Sequence, residues 1–540
     1  MRSVFAIAFY ASLSLLSLRT AAEVDPHAHD ALGVVDFPIS CAPAAQAPFN
    51  RAVALLHHMT YPQARAAFED VASIDPHCAM AQWGVAMTLF HPLWPTRPTP
   101  KELGEGWAAA SKAKALNPPT ERERLFVASA EAFFQDPAST DYWARIRRWE
   151  DALQAAYAKY PDDTEIMAFY ALALLASAPP NSLSHENADE AATILLRIYA
   201  RNPEHPGAMH YLVHANDTPG REHESLDITR KYEQVAPNNP HALHMPTHIY
   251  TRIGDWQGVI AGNLRAADAA LQYPAGDHGE FVWDEFPHAI EYLVYAYLQI
   301  GADESALAQT QRLQAVPNLE PTFKTAFHLA STQARCALER RAWTEAVVIV
   351  PREPKSLDWD RYTWPEAIAW FARGFGAAKL GRVEDANAAT RRLGELEAAT
   401  RTAGEELFAR NIHMLLLEQQ AAVAAADGKR EQAIALLREA AELEATTPKP
   451  PVTPAPTLPA TELLGDELME GGQAELALAA YQRSLELYPR RFNGVLGASR
   501  AAQAAGQTTV AREYYRTLLE IAGGDGRRQA IVEAKRALSE

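Results

Sequence analysis

Seven of the chain's 18 histidines lie in the stretch 205–256, where their spacing is typical of metal ligands. Four of them form two pairs, His210/His214 and His244/His248. Residues i and i+4 share one face of a helix, so each pair directs two imidazole rings to the same side. Imidazole nitrogen binds zinc and copper well, and two such rings can hold two positions of one ion. No glutamate follows either first histidine, so neither pair forms the HExxH motif of zinc proteases.

The two pairs must be positioned by the first helices of two neighbouring repeats. The second pair follows the first after 34 residues, and Pro203 and Pro237 show the same offset. A 34-residue period indicates helix–turn–helix units stacked side by side. Because adjacent packed helices lie ~8–10 Å apart, four imidazoles on one face could converge on a single ion. Pro246 lies inside the second pair, and a helix beginning near Met245 would weaken this argument.

The repeats resemble those of the tetratricopeptide (TPR) family. The matching positions are Tyr61, Ala64, Phe68 and Pro76 in the first repeat, and Leu464-Gly465, Ala477, Tyr481 and Pro489 near the C-terminus. The resemblance covers most of 47–540 and implies an exported bacterial-type TPR protein with a histidine-rich central repeat pair. The implied fold is all-α, a right-handed TPR-like superhelix in which the first helix of each pair lines a concave groove. Such grooves usually bind a peptide or a partner protein.

The family pattern also implies further groove-facing candidates near the two histidine pairs. Additional ligands to the ion could come from His57, His241, His288, Asp217 and Glu291. Acids at Asp217, at Glu291 or in the insertion 273–287 could instead orient the rings. The proposed cofactor is a transition metal, copper or zinc.

Alternatives remain open at this stage. The histidines could contact a peptide without any metal, or they could be incidental structural residues. A metal-dependent enzyme centred on the same cluster is a further reading, and the sequence does not decide whether the chain is an enzyme. Tyr211, Tyr250, Tyr295 and Trp283 are candidates for contact with a groove ligand, although repeat packing is the default role for tyrosines at such positions.

Charge and targeting signals narrow the class of partner. The net charge of −17 argues against a nucleic-acid ligand, which requires a basic face.

Residues 1–22 read as a cleaved export signal, so we predict a periplasmic or secreted protein without a stable membrane span. Export permits one disulfide, for which Cys41 and Cys78 are the best pair; three buried free thiols are the alternative. Phosphate-loop, dinucleotide-binding, GxSxG and CxxC motifs are absent from the sequence.

The chain divides into seven segments. We predict a signal peptide at 1–22, an extended segment at 23–46, degenerate helical repeats at 47–200, the central histidine-rich TPR repeats at 201–316 with the insertion at 273–287, TPR-like repeats at 317–445, a proline-rich linker at 446–459 and C-terminal TPR repeats at 460–540.

Overall fold

The computed structural model describes residues 31–94, 97–139, 141–179, 182–276, 278–522 and 527–539. The predicted signal peptide lies outside these residues. The described chain is all-α apart from one two-stranded sheet, β1 Pro274–Ala275 and β2 Phe281–Val282, inside the predicted insertion. Two short 3-10 helices occupy Pro43–Ala45 and Trp359–Arg361.

The α-helices follow one another with short turns. In chain order they are α1 Gln46–His57, α2 Tyr61–Ile74, α3 Ala79–Met87, α4 Pro100–Ala115, α5 Glu121–Phe134, α6 Tyr142–Lys159, α7 Thr164–Ser177, α8 Glu186–Arg201, α9 Pro206–Asn216, α10 Leu226–Val235, α11 Pro240–His244, α12 Pro246–Ile253, α13 Trp256–Ala270, α14 Glu285–Gln299, α15 Asp303–Gln314, α16 Phe323–Glu339, α17 Trp343–Ala346, α18 Thr363–Lys379, α19 Val383–Thr402, α20 Glu406–Ala426, α21 Arg430–Ala445, α22 Ala460–Glu470, α23 Ala474–Leu487, α24 Phe492–Ala504, α25 Thr508–Ile521 and α26 Gln529–Ser539.

Consecutive helices pack as hairpins, and the first helices of successive hairpins also pack on one another, as α14, α16, α18 and α20 do. This is the predicted TPR-like solenoid. Glycine and aromatic residues set the close approach within it. A Cβ atom on Gly465 or Gly497 would lie 2.8 or 2.3 Å from the Tyr481 ring, so that ring fits only between two helices that carry glycine there. The turn residues Gly472 and Gly506 adopt φ values of +71° and +74°, which favour glycine at a helix C-terminus.

The C-terminal repeats fold back onto the central ones. The Arg491 guanidinium, which is fully buried, donates to Glu339 at 2.8 Å, to Glu462 at 3.0 Å and to the Tyr295 hydroxyl at 3.1 Å. The Trp256 indole N–H also donates to the Arg490 carbonyl at 2.9 Å. Residues far apart in the sequence therefore close one turn of the superhelix.

The proline-rich segment 446–459 is not a spacer between two separate bodies. It is non-helical and lies inside the superhelix, where Val452 and Ala455 are buried. Arg335 on α16 donates to Thr453 Oγ1 and to the Pro456 carbonyl, both at 2.7 Å. The segment thus fills the concave side of the central repeats, where a bound peptide would lie in an open TPR groove.

Cys41 and Cys78 form a disulfide, and Cys336 is a buried free thiol. Over the described residues, the helices are too short or too polar to cross a bilayer.

Candidate metal centre

The first helices of three successive hairpins bring six histidines to the concave side. His210 and His214 lie on α9, His241 and His244 on α11, His248 on α12 and His288 on α14. All but His214 are buried, and His214 is nearly so. A proline lies in the first turn of α9, α11 and α14: Pro206, Pro240 and Pro287 respectively. The histidines follow within the first three turns of these helices.

Pro246 does not disrupt the second pair. Met245, between α11 and α12, keeps helical angles of −54° and −41°, so the two helices run on as one kinked rod. The His248 N–H donates to the Met245 carbonyl at 3.1 Å, and Pro246 is the first residue of α12, a position that tolerates the missing N–H of proline. The rings of His244 and His248 therefore remain on one face.

The six histidines form two groups of three. In the first group, His210 Nε2 lies 3.2 Å from both His214 Nε2 and His241 Nε2. In the second group, His244 Nε2 lies 2.9 Å from His248 Nε2, and the His288 ring centroid is 4.2 Å from that of His244. Each group places one nitrogen from each ring within 4.8 Å of the other two. We refer to them as trio one (His210, His214, His241) and trio two (His244, His248, His288).

This grouping differs from the predicted single site, in which His210, His214, His244 and His248 share one ion; that shared ion stays a prediction. The i, i+4 pairs are retained, but each takes its third member from the next helix. The His210 ring centroid lies 4.8–4.9 Å from its two partners and the His244 centroid lies 4.2–4.9 Å from its own, whereas the His241 and His244 centroids, in different groups, are 6.2 Å apart. The geometry therefore favours two adjacent three-nitrogen sites.

Hydrogen bonds on the far side of each ring fix which nitrogen carries the proton. His210 Nδ1 lies 2.6 Å from the His57 carbonyl oxygen and His241 Nδ1 lies 3.0 Å from Glu285 Oε1. Both partners only accept, so both Nδ1 atoms carry the hydrogen and both Nε2 atoms present a lone pair. Yet these two Nε2 atoms face each other at 3.2 Å.

Trio two repeats this pattern. His248 Nδ1 lies 2.8 Å from Asp217 Oδ2, and His244 Nδ1 lies 2.6 Å from Asn263 Oδ1. The Asn263 amide N–H groups donate to Thr247 Oγ1 and to the Val259 carbonyl, which orients its oxygen toward His244. The facing Nε2 atoms of His244 and His248, 2.9 Å apart, are therefore also two lone pairs.

Two imidazole lone pairs in contact need a cation between them. Two nitrogens bound to one ion at 2.0–2.1 Å lie ~2.9 Å apart at a right angle and ~3.3 Å apart at the tetrahedral angle. The observed separations of 2.9 and 3.2 Å fall in that range. Burial and the neighbouring histidines hold the pKa of His210, His214, His244 and His288 well below the usual value, so these four rings do not supply a proton as that cation at neutral pH.

Buried carboxylates orient the outer sides of both trios. Asp217 holds His248 as described, and although burial raises its pKa, Lys449 and Arg252 keep that pKa well below the usual range. Glu285, which lies in the predicted insertion, holds His241 and pairs with Lys324 at 2.9 Å. These contacts are the carboxylate–histidine arrangement that surrounds protein metal sites.

Glu291 contacts trio two through another histidine, His328, and not directly. Its carboxylate accepts from His328 Nδ1 at 2.5 Å, and His328 Nε2 lies 3.0 Å from His288 Nδ1. Glu291 also pairs with Arg335 at 2.9 Å. His328 therefore orients His288 in trio two.

His57 does not contribute its ring to either trio. Its Nε2 donates to Glu165 at 2.8 Å, and its Nδ1 accepts from the Tyr211 hydroxyl at 2.9 Å. Glu165 also binds His205 Nε2 at 3.1 Å, while His205 Nδ1 caps α9 by accepting from the Ala208 N–H. His57, Glu165 and His205 are thus a satisfied hydrogen-bond network without a free nitrogen lone pair. The contribution of His57 is its backbone carbonyl, which orients His210.

The four aromatic residues predicted to contact a groove ligand are all buried: Tyr211, Tyr250, Tyr295 and Trp283. They fill space between repeats, since Tyr295 packs on Trp256 and Trp283 stacks near Trp94. All four side chains therefore have a packing role in this structure, and their contact with a groove ligand stays a prediction.

A small cavity adjoins both trios. It measures ≈ 20 Å³ and is lined by His214, His241, His248, His288, Leu93, Trp94, Met245, Lys324, Pro451 and Val452. Since one water needs ~10–15 Å³ of such space, the cavity has room for about one water-sized ligand. The proline-rich segment forms one wall, and the segment that follows α3 forms another.

Several of these residues escaped the sequence analysis. Asn263 lies on a second helix, α13, and carries no metal-binding motif. Glu165 and Lys324 lie on first helices, α7 and α16, whose repeats depart from the 34-residue period. The spacing of His288 and His328, 40 residues apart at the same level of successive first helices, is the one signal that could have identified His328.

No protein-family model matches the sequence, and no curated protein matches it. Among solved structures, the chain is similar to the APC/C hetero-tetramer Cut9–Hcn1, at 13% identity over 92% of this chain and 90% of that chain, with a TM-score of 0.32. It is also similar to the human IFIT1 dimer with m7Gppp-AAAA, at 13% identity over 86% of this chain and 95% of that chain, with a TM-score of 0.36. Scores this low carry no argument about function, which has to rest on the residues of this chain.

Proposed function

We propose that this exported TPR-like solenoid is a metalloprotein that holds two transition-metal ions, one in each histidine trio. The observation that carries the proposal is the pair of Nε2–Nε2 contacts, His210 with His241 at 3.2 Å and His244 with His248 at 2.9 Å, in rings whose Nδ1 atoms are all held by acceptors. Copper or zinc fits best, because the six ligands are neutral imidazoles and no carboxylate oxygen is among them.

A catalytic role for the centre is the second candidate. Three protein ligands per ion leave a coordination position open, which is typical of catalytic sites and untypical of closed structural ones. The cavity of ≈ 20 Å³ next to four of the histidines offers this position a small ligand. We therefore propose a metal-dependent enzyme that acts on a small molecule, in preference to a protein that only stores metal.

The export of the chain is part of the same proposal. The Cys41–Cys78 disulfide supports a periplasmic or secreted location, since such bonds persist in oxidising compartments. A peptide in the concave groove would have to displace segment 446–459 to reach the central repeats. We therefore place the metal centre, and not peptide binding at these repeats, at the core of the function.

Metal analysis of untagged, signal-cleaved protein tests the proposal. We expect two copper or zinc ions per chain after loading and dialysis, and one ion in either His241→Ala or His288→Ala. The matched control is His413→Ala, which removes a half-buried histidine on α20 that pairs with Glu397. The control should retain both ions. Absence of bound metal after loading, or equal content in all four proteins, would overturn the proposal.

A further inference from the structure

A second cavity lies on the concave side of the C-terminal repeats, away from the histidines. It measures ≈ 150 Å³, many times the space of one water. Its walls come from the helices α16 to α18, α20 to α22 and α24, and from Leu458 of the proline-rich segment. Five carboxylates line it: Glu418, Glu462, Asp466, Glu467 and Glu470.

Four of these carboxylates already have a cation. Their partners are Arg491 for Glu462 at 3.0 Å, Arg341 for Asp466 at 2.8 Å, Lys379 for Glu467 at 3.4 Å and Arg430 for Glu470 at 3.4 Å. These ion pairs neutralise four of the five carboxylates on the wall and rim of the cavity. One carboxylate remains without a cation among the described residues.

Glu418 is that acid. It is 2% exposed, and its Oε2 atom has no hydrogen-bond partner among the described residues. Neither a hydrogen bond nor an ion pair from the described residues reaches its other oxygen. Burial and the neighbouring Glu444 raise the pKa of the Glu418 carboxyl well above the usual value, as expected for an acid that lacks a counter-ion. A buried polar group without a partner is costly, so a group that lines a cavity in this state indicates a ligand.

The walls next to Glu418 suit an alkyl chain. Trp343, Phe375 and Leu437 line the cavity together with Leu338, Leu458 and Leu463. Methylene groups pack on such side chains, and aromatic faces attract a cation. A bare metal ion would need several free oxygen ligands, whereas four of the five carboxylates here are engaged.

We infer that this cavity binds an organic ammonium group, with Glu418 as its counter-ion and the apolar walls around its alkyl chain. The chemistry is that of a primary alkylamine or of a lysine side chain from a partner. The site stands apart from the metal centre, because it shares no residue with either trio. Metal content and ammonium binding can therefore fail independently.

Calorimetric titration of the full-length chain with n-butylammonium tests the inference. We expect binding to the wild-type chain and none of the neutral n-butanol. Glu418→Gln keeps the shape of the side chain and should weaken binding at least ~10-fold, because it removes the buried counter-ion. The matched control is Glu470→Gln, at an exposed rim position paired with Arg430, which should change the affinity less than about twofold.

Two peptides then distinguish the sources of the ammonium group. Ac-Gly-Lys-Gly-amide should compete with n-butylammonium if the natural ligand is a partner's side chain, whereas its norleucine analogue should not. Competition by neither peptide, with n-butylammonium still bound through Glu418, assigns the site to a free amine. If n-butylammonium fails to bind up to ~10 mM, or binds Glu418→Gln as well as the wild type with both variants folded to the same thermal midpoint, the inference is wrong.

Discussion

Substitution of either carboxylate that holds the outer nitrogen of a ligand histidine should weaken one metal ion more than the other. Asp217→Asn acts on trio two, where Asp217 Oδ2 accepts from His248 Nδ1 at 2.8 Å. Glu285→Gln acts on trio one, where Glu285 Oε1 accepts from His241 Nδ1 at 3.0 Å. Each amide can still accept the same hydrogen bond, so the change removes charge more than shape.

The magnitude follows from the burial of these contacts. The side chains of Asp217 and Glu285 are only 7% and 0% exposed, so solvent screens their effect on the imidazole weakly. A negative acceptor makes the opposite nitrogen a stronger ligand, and loss of such a partner typically lowers metal affinity 10–100-fold. That range corresponds to ~1.4–2.7 kcal/mol of binding free energy. The ion held by the other trio should lose less affinity, because the substituted carboxylate makes no hydrogen bond to the rings of that trio.

Competition titrations with a chromophoric chelator measure both affinities. The wild-type chain should release two ions in two steps, and each variant should shift one step. Thermal unfolding of the metal-free proteins controls for misfolding, since Asp217 also pairs with Arg252 and Lys449. Equal weakening of both ions in each variant, or no shift in either, would refute the assignment of one carboxylate to one trio.

Two further predictions concern stability. Burial raises the pKa of Glu444 to about 7, so between pH 4.5 and 7 the unfolded chain releases a proton that the folded chain keeps, and the stability of the fold decreases as pH rises. Urea denaturation at several pH values should show that Glu444→Gln removes ~3 kcal/mol of this decrease, whereas Glu442→Gln, at an exposed position, leaves it unchanged. Gly497→Ala should destabilise the fold by ~1–3 kcal/mol, because the new Cβ would lie 2.3 Å from the Tyr481 ring. Gly394→Ala should stabilise it by up to ~1 kcal/mol, because Gly394 lies in a helix and a Cβ there meets no atom within 4 Å. Chemical denaturation that ranks the two variants in the opposite order would contradict this packing.

The fold was predictable because its repeats carry local signals. Glycine at the turn and an aromatic ring against a small residue recur at fixed offsets, and Gly465 with Tyr481 shows that contact in the structure. The return of the C-terminal repeats onto α14 was not predictable. It depends on Arg491 reaching Glu339 and Tyr295 across more than a hundred residues, and pairwise pattern analysis carries no information about such contacts.

The sequence indicated which histidines lie at the site, but not how they group around an ion. Helical spacing identified His210 with His214 and His244 with His248, and both pairs stay together. The grouping into two trios depends on how far one hairpin is displaced along its neighbour. That displacement decides whether His241 reaches His210, a contact between helices that the spacing within each helix leaves undetermined.

The proline-rich segment that covers the metal centre contacts a residue that orients one of the proposed ligands. Lys449, in the proline-rich segment, contacts Asp217 Oδ2 at 3.3 Å, the same oxygen that accepts from His248. Pro451 and Val452 of that segment close the cavity beside the trios, so any ligand larger than about one water must displace them. Because displacement of the segment would also remove Lys449 from Asp217, it would leave Arg252 as the cation paired with the carboxylate that orients His248. Access to the centre and the donor strength of one of its ligands are therefore coupled through a single carboxylate.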